Sequence, residues 1–350
     1  MGGTILRRFV CFMLIILGLS APVAVFAESP RADRLVITLA GDCTIGSEGQ
    51  YVNAKSSFVQ VVAEKGFDWP FSGVIDLFAN DDLTLVNLEG TFTNAKRARE
   101  KRFTFRAPPE YADVLVLGSV EAVNMANNHS RDYLDRGTMD TKNALAARGI
   151  AYCYHYEPTV VEIKGRKIAL LGISYPLRKS KVQGMREQIE AFRADPNIDL
   201  IIANFHAGIE NTYKQRKDQI TAAHQVIDSG ADVVVGTHPH VLQGMEVYKG
   251  KPIFYSLGNF SFGGNNSPND LETAVIQLEY DIGGEGKPEL ARLQVFPYLC
   301  TEFGAYTVQD YRPVPATDEK DIASILKKLS WGAEGFPEDF FETGLWIVEN

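Results

Sequence analysis

Two of the six histidines in this 350-residue chain lie at the end of one apolar run. His238 and His240 are separated by a proline and follow the valines at 233–235. In an extended segment the side chains of residues i and i+2 point the same way, so both imidazoles can face a single point. This is the arrangement of ligands for zinc, manganese or iron, but two imidazoles do not complete a coordination shell.

Other side chains that can bind a metal follow other apolar runs. Asp42 follows residues 35–41, Glu89 follows 83–88, His129 follows 123–128 and His206 follows 200–205. The carboxyl ends of the strands in an open α/β sheet lie along one rim, where ligands bind. The sequence therefore predicts that residues far apart in the chain converge on one site.

Each of these residues also has a simpler interpretation. A single histidine or aspartate after a strand is usually a turn former or a solvated residue, and it is the repetition that favours a metal site. His155 and His224 do not follow the pattern. His155 lies in an aromatic stretch and is expected to be packed or on the surface, and His224 is expected to be a structural residue in the middle of a helix.

Strand-like runs alternate with helical segments over most of the chain, which predicts a layered α/β fold. Its 45% hydrophobic content suffices for the large core of one main domain. After the second histidine of the pair, glycine-rich connections predict an antiparallel section. Helices are predicted over residues 71–78, 109–117, 139–148, 217–227 and 318–329, and strands over 243–248, 252–257, 272–280 and 289–297.

The first 27 residues have the three parts of a secretory signal. Arg7 and Arg8 form the basic part, residues 9–19 the apolar part, and residues 25–27 end in a small-residue cleavage site. The alternative is an uncleaved anchor, because the apolar stretch extends towards residue 26. The expected location is therefore periplasmic or extracellular, with attachment to the membrane if the segment is retained.

Charge and cysteine content narrow the function classes. The net charge is −9, and it becomes −11 after removal of residues 1–27, which contain two arginines and no acid. This acidity argues against nucleic acid as a partner. Residues 96–102 form a basic run, which is either a solvated loop or a means of attracting an anionic substrate. Cys43, Cys153 and Cys300 define no disulfide framework.

Several short blocks carry a family resemblance when they are taken together in order and spacing. They are Gly41-Asp42, Asn87-Leu88-Glu89-Gly90, Ala126-Asn127-Asn128-His129, His206-Ala207-Gly208, residues 236–243 and residues 255–260. They resemble the bacterial CapA capsule-synthesis family, whose domain is related to the calcineurin-like metallophosphoesterases. The resemblance implies a four-layer sandwich, with two mixed β-sheets face to face and helices outside. The domain would cover residues 28–313, between the signal at 1–27 and a C-terminal helical extension at 314–350.

The resemblance also implies roles for individual residues. His129 would be the catalytic residue that protonates a leaving group, and Glu89 would bridge two divalent cations. The cofactor would be one or two ions of manganese, iron or zinc. The implied metal ligands are Asp42, Glu89, Asn128, His206, His238 and His240.

Three further residues lie beside these positions. Asn127 and Asn259 would orient ligands or hydrogen-bond a substrate oxygen, and the alternative for both is turn stabilisation. Arg131 would bind a phosphate or carboxylate through two hydrogen bonds, and the alternative is pairing with Asp132 or Asp135.

The chain departs from the metallophosphoesterase pattern at three places. Thr44 stands where those enzymes have a histidine two residues after the first aspartate, so one imidazole ligand is lost. Glu89 replaces the usual bridging aspartate, and Ala207 stands where many members of the family have tryptophan. A single-metal site, or a site that binds without turnover, is therefore left open.

Two functions remain after these observations. The first is an exported metal-dependent hydrolase of a phosphoester, or of an amide, in a capsule or envelope polymer of the poly-γ-glutamate type. The second is a non-catalytic component that binds the anionic polymer through its metal and acts with membrane-bound synthase and export partners. A purely structural protein is disfavoured because convergent histidines would have no purpose in it.

Overall fold

A computed structural model of the protein describes residues 33–302 and 309–348. The predicted signal or anchor at 1–27 lies outside the described residues. In chain order the described strands are β1 (Arg34–Thr44), β2 (Ser47–Glu48), β3 (Leu83–Leu88), β4 (Thr91–Phe92), β5 (Phe105–Ala107), β6 (Ala122–Asn124), β7 (Ala151–Cys153), β8 (Thr159–Ile163), β9 (Arg166–Ser174), β10 (Leu200–His206), β11 (Val233–Thr237), β12 (Leu242–Tyr248), β13 (Lys251–Leu257), β14 (Asn259–Phe262), β15 (Glu272–Asp281), β16 (Glu289–Leu299), β17 (Val314–Pro315) and β18 (Leu345–Ile347).

The helices predicted at 217–227 and 318–329 agree with the structure to within one residue, whereas the helix predicted at 139–148 begins at Leu134 and the one predicted at 71–78 is an α-helix only over Ile75–Phe78. The predicted amphipathic helix of the tail is confirmed, and the Asp318 side chain accepts a hydrogen bond from the backbone N–H of Lys320 at its start. The described α-helices are α1 (Phe58–Lys65), α2 (Ile75–Phe78), α3 (Asp113–Leu117), α4 (Leu134–Ala146), α5 (Lys179–Ala194), α6 (Lys217–Asp228), α7 (Glu319–Leu329) and α8 (Phe340–Thr343). Short 3₁₀ helices at Trp69–Phe71 and Pro109–Ala112 precede α2 and α3.

The larger sheet is mixed and has β1 at its centre. Its strand order is β17-β16-β15-β1-β3-β6-β7, with β14 also pairing to β1 and β18 to β16. The pairs from β1 through β3 and β6 to β7 are parallel, whereas β15 runs antiparallel to β1. The first half of β1 pairs with β15, and its end pairs with β14, where Asp42 is in register with Asn259. This change of partner brings the start of β14 beside Asp42, near the end of β1.

The second sheet is also mixed, in the order β12-β13-β11-β10-β9-β8. Its central strands β9, β10, β11 and β13 are parallel, and β8 and β12 close its two ends in antiparallel pairs. A small sheet of β2, β5 and β4 lies beside the main sandwich. The antiparallel section predicted after His240 is confirmed for the β12–β13 and β15–β16 pairs.

Three apolar clusters separate four layers. One lies between the sheets and contains Leu35 and Ile37 of β1 together with Ile168 of β9. The second packs the outer face of the large sheet against α1, α3 and α4, and the third packs the outer face of the second sheet against α5 and α6. In β9, Ile168 belongs to the central cluster and Ala169 to an outer one, so both faces of the strand are buried. The four-layer α/β sandwich is confirmed.

The residues after 314 complete the sandwich. β17 and β18 both pair with β16 in the large sheet, and α7 buries Ile325, Leu326 and Leu329 in the cluster between the sheets. The predicted C-terminal helical extension thus supplies strands as well as helices, and it packs into the main domain. Cys43, Cys153 and Cys300 are buried and free. Among residues 33–302 and 309–348, we find no helix with the length and hydropathy needed to span a bilayer.

Asp81 is a half-buried carboxyl in the connection before β3. Its Oδ2 accepts a hydrogen bond of 2.6 Å from Oγ1 of Thr84. Burial, together with the negative charges of Glu121 and Asp82, raises the pKa of Asp81 from its ordinary 3.8 to about 7. The folded protein therefore binds a proton that the unfolded chain releases, and stability falls as the pH rises from about 4 to about 7.

We expect Asp81→Asn to raise the free energy of unfolding relative to the wild type at pH 8 and to leave it nearly unchanged at pH 4, because the neutral amide removes the cost of ionising a buried acid. Urea unfolding at both pH values measures this difference. Glu64→Gln, at an exposed position on α1, is the control and should show no such pH dependence. An Asp81→Asn variant that is less stable at pH 8 would contradict the expectation.

Candidate metal centre

The candidate metal centre lies where strands of both sheets end. Asp42 lies near the end of β1, Glu89 directly follows β3, and His206 ends β10. His238 directly follows β11, whose last residue is in register with His206. The predicted convergence of residues from distant parts of the chain is therefore present, and it joins the rims of the two sheets.

A close backbone approach fixes the first of these ends. The Asp42 N–H donates a 2.9 Å hydrogen bond to the carbonyl of Gly258, which precedes β14. A Cβ atom at Gly41 would lie 2.1 Å from that same carbonyl oxygen. Glycine is therefore required at 41 for β1 and β14 to meet, which explains the Gly-Asp block in physical terms.

Three further donor atoms lie within 3.5 Å of Nε2 of His206. The Nε2 atom of His206 lies 2.7 Å from Oδ1 of Asn128, 3.1 Å from Nδ1 of His238 and 3.5 Å from Oε1 of Glu89. Ligand atoms bonded to one zinc-like ion at about 2.0–2.2 Å are separated by distances of this order. Two imidazoles, an amide oxygen and a carboxylate can therefore bind one divalent ion here; manganese, iron and zinc all suit this mixed donor set.

Glu89 provides the clearest test of that fit. Its side chain is fully buried, and neither carboxylate oxygen has a hydrogen-bond partner among the described residues. Burial alone would raise the pKa of Glu89, but the neighbouring imidazoles of His240 and His206 lower it. A buried, ionised carboxylate without hydrogen bonds needs a cation, and a metal ion at this point would satisfy it.

A second, less complete group of donors lies on the other side of Glu89. Ligand atoms of Glu89, His238 and His240 lie within 4.8 Å of one another. Nδ1 of His240 is 3.6 Å from Oδ2 of Asp42. Both Asp42 oxygens already accept hydrogen bonds, at 2.7 Å from Nδ2 of Asn87 and at 3.0 Å from the backbone N–H of His238. Asp42, Glu89 and His240 are thus candidates for a second set of only three residues, with Nε2 as the donor atom of His240 because its Nδ1 pairs with Asn259.

Thr44 stands two residues after Asp42, the position at which the metallophosphoesterase pattern would supply a fourth ligand. It is fully buried near the end of β1, and its hydroxyl has no hydrogen-bond partner among the described residues. A threonine hydroxyl is a weaker metal ligand than the imidazole that the metallophosphoesterase pattern has at this position. The two sets of donors are therefore unequal in strength.

The histidine pair has an uncommon backbone conformation, and the protonation of His238 suits metal binding. His238 and His240 have φ angles of 98° and 59°, a region that residues other than glycine rarely adopt. Burial, together with the neighbouring His206, lowers the pKa of His238 to about 3. Its imidazole is therefore neutral at pH 7 and free to bind a metal. Nδ1 of His240 donates to Oδ1 of Asn259 at 2.9 Å, which directs Nε2 away from Asn259.

His129 lies beside the complete donor set without belonging to it. Its Nδ1 is 2.7 Å from Oδ2 of Asp132, and its Nε2 is 3.7 Å from Oε1 of Glu89. Because the Asp132 carboxylate only accepts, Nδ1 carries the hydrogen and Nε2 faces the centre. The Lys101 ammonium forms an ion pair with the other oxygen of Asp132 at 2.6 Å, and the ring of Phe105 stacks on the imidazole at 4.3 Å.

The remaining predicted residues are in three different surroundings. Asn127 is buried, where Nδ2 donates to the carbonyl of Leu88 at 2.7 Å and Oδ1 accepts from the N–H of His129. Arg131 is exposed and pairs with Asp135 at 2.5 Å, which is one of the two alternatives for it. His155 and His224 lie outside the centre: the first contacts the ring of Tyr154, and the second lies within α6.

Sequence reasoning missed several residues that hold the ligands in place. Asn87 contacts both Asp42 and His206, and Thr237 Oγ1 is 3.0 Å from Nδ1 of His206. Lys101 was part of a basic run, and its contact with Asp132 could not be read from spacing. The polar residue Asn87 within the otherwise apolar run before Glu89 was the one signal that could have been noticed. Tyr175, whose ring stacks on the His238 imidazole at 5.8 Å, gave no such signal in the sequence.

A cleft of about 640 Å³ opens onto the centre. His129, His240 and Asn259 form part of its lining, so one candidate ligand and the candidate acid face the cleft. Tyr51 and Phe103 also line it and are exposed, which gives its opening an apolar part. The cleft is of the size that accommodates a small molecule or a segment of a polymer.

Comparisons with solved structures give only distant overlaps. A sulfate thiohydrolase from Thermus thermophilus is 13% identical, covers 86% of this chain and 61% of that chain, and gives a TM-score of 0.41. A 5'-nucleotidase from Candida albicans is 11% identical, covers 74% of this chain and 51% of that chain, and gives a TM-score of 0.40. Neither overlap is strong enough to support an argument about function.

Sequence comparison gives a family. A capsule biosynthesis protein CapA from Bacillus anthracis is 27% identical over 85% of this chain and 73% of its own length. A PGA biosynthesis protein CapA from Bacillus subtilis is 28% identical over 77% of this chain and 75% of its own length. A probable polyglutamine synthesis accessory protein from Mycobacterium tuberculosis is 26% identical over 65% of this chain and 69% of its own length. The family model of the bacterial capsule synthesis protein PGA_cap matches residues 36–264, which contain every predicted metal ligand, and the chain belongs to that family.

Proposed function

We propose that this protein is an exported, metal-dependent hydrolase of the phosphoester type that acts in the synthesis of a polyglutamate-type capsule or envelope polymer. The observation that carries the proposal is the set of donor atoms within 3.5 Å of His206 Nε2, next to His129. The names of the relatives support the capsule context. Export rests on the signal-like first 27 residues of the sequence.

In this mechanism the residues of the centre would have separate roles. A divalent metal held by Glu89, Asn128, His206 and His238 would supply Lewis-acid activation of the ester and of the attacking water. His129, in its protonated form, would donate the Nε2 proton to the leaving oxygen. Asp132 would hold the ring through Nδ1, and the cleft would position the polymer.

One feature favours a second candidate function. Thr44 leaves the second donor set with three residues, so a two-metal mechanism lacks a ligand. A single ion can still bind carboxylates or phosphates without cleaving them. The alternative is a non-catalytic component that binds the polymer through its metal and works with membrane-bound synthase and export partners. The experiments below separate the two.

The metal content of the purified full chain tests the centre directly. We expect about one tightly held equivalent of manganese, iron or zinc, because only one donor set is complete. His238→Ala/His240→Ala should lose it, since the double variant removes a ligand from each set. Elemental analysis after purification without chelator provides the measurement.

His155→Ala is the matched control, because it removes a histidine outside the centre, and its metal content should equal that of the wild type. A folded wild-type protein that binds no metal after manganese, iron and zinc are added back would refute the metal centre. Two tight equivalents would show that the three-residue set is sufficient.

The departure at Thr44 generates a gain-of-binding experiment. Thr44→His restores an imidazole beside Asp42, so we expect the retained metal to rise from about one equivalent towards two. Thr44→Val keeps the shape of the side chain without a donor and should stay at about one. Equal metal content in both variants, with each shown to be folded by circular dichroism, would mean that residue 44 does not limit the second set.

The role of His129 can be separated from metal binding by the choice of leaving group. His129→Ala should lower turnover of an alkyl phosphate about 10²–10⁴-fold, because the leaving alkoxide needs a proton. Turnover of p-nitrophenyl phosphate should fall much less, since nitrophenolate leaves unprotonated. Metal content should not change.

Both phosphate substrates should be compared in the wild type and in His129→Ala under the same metal loading. An equal loss on the two substrates would assign His129 a structural role. Absence of turnover in a metal-loaded wild type, combined with metal-dependent binding of the polymer, would favour the non-catalytic alternative.

A further inference from the structure

The loop between β4 and β5 concentrates positive charge on an acidic protein. We call residues 96–102 the basic loop; it contains Lys96, Arg97, Arg99, Lys101 and Arg102. All of them except Lys101 are exposed, and within the described part of the chain those four form no ion pair. The whole chain has a net charge of −9, so this local excess of cations stands out.

The backbone of the basic loop is held in place although it lies outside the strands and helices. The N–H of Arg99 donates to the carbonyl of Asp132 at 2.8 Å. Lys101 forms an ion pair with the Asp132 carboxylate at 2.6 Å and donates a hydrogen bond to the carbonyl of Asn128 at 3.1 Å. Nη1 of Arg106 donates to the carbonyl of Ala95 at 2.5 Å. A fixed backbone with unpaired side chains is preorganised for a ligand and loses little entropy on binding.

The basic loop leads to the metal centre. Arg102 and the adjacent Phe103 line the cleft that contains His129, and Lys101 is 3.1 Å from Nδ1 of that histidine. Carboxylates of Glu48 and Glu210 also line the cleft. Anionic groups are therefore favoured at the loop and disfavoured on those parts of the cleft wall.

The cleft beyond Arg102 has a different chemistry. Four asparagines besides Asn259 line it, and carboxamides both donate to and accept from amides. These residues are Asn211, Asn265, Asn266 and Asn269. A ligand that matches both regions has several carboxylates for the loop and amide bonds for the cleft.

We propose that the basic loop is the docking surface for an anionic polyamide of the polyglutamate class, whose carboxylates pair with Lys96, Arg97 and Arg99 while an adjoining segment enters the cleft. In an extended backbone, residues 96 to 99 span about 10 Å. Several repeats of a polymer can pair along this length, whereas a small phosphoester can pair at only one position. The inference rests on the proposed function for the identity of the polymer.

The test is binding of a fluorescein-labelled poly-L-glutamate to the full chain, followed by fluorescence anisotropy at low salt. Lys96→Ala/Arg97→Ala/Arg99→Ala should raise the Kd about tenfold, because each exposed ion pair contributes a few-fold to the affinity. Lys287→Ala/Lys320→Ala/Lys327→Ala is the matched control, since it removes the same charge from three other exposed positions. Its Kd should stay within about twofold of the wild type. Wild-type affinity should also fall steeply as salt is added.

An equal loss of polymer affinity in both triple variants would mean that net charge alone causes the effect, and it would overturn the inference. Tighter binding of inorganic polyphosphate than of polyglutamate to the wild type would also overturn it, because a phosphate polymer has no amides for the cleft. Metal content and turnover are measured separately. Loss of polymer binding confined to the loop variant, in a protein with metal but without turnover, would keep the docking surface and reject the hydrolase.

Discussion

A negative charge buried without hydrogen bonds is the constraint around which the rim of this molecule is built. Glu89 is fully enclosed, and both of its oxygens lack hydrogen-bond partners among the described residues. Transfer of an isolated carboxylate into a protein interior is strongly unfavourable unless positive charge compensates it. His206, His238 and His240 come to Glu89 from the second sheet, so the ends of both sheets must meet at this point. The sandwich brings these charges together, and a bound cation would in turn stabilise the meeting of the two sheets.

The layers, the antiparallel section and most ligand positions could be predicted because they follow from local patterns. An apolar run that ends in a polar residue can be recognised in the sequence, and the parallel arrangement of strands places the ends of these strands at one edge of the sheet. The tail helix was equally accessible, since Asp318 precedes an amphipathic stretch that ends in two lysines. None of these predictions required knowledge of the order of the strands in the sheets.

Residues that act through other residues could not be predicted in the same way. Thr237 and Asn87 both contact His206, and they come from strands of different sheets. Lys101 approaches Asp132 only because the loop after β4 folds back over the start of α4. The pairing of β17 and β18 with β16 was also out of reach, because strands of two or three residues have too little periodicity to be recognised. These features depend on tertiary proximity, which spacing along the chain does not encode.

The central position of β1 has a consequence for the order in which the chain can be assembled during synthesis. This strand is the first described element, yet its antiparallel neighbour β15 begins at residue 272. Until that segment has emerged, one edge of β1 has no lasting partner, and the apolar face that it shares with β16 and α7 stays open. Contacts between residues so far apart in the chain form slowly, and open strand edges associate with other chains. The early segments of this protein therefore depend on being kept apart from other chains until nearly the whole sequence has been made.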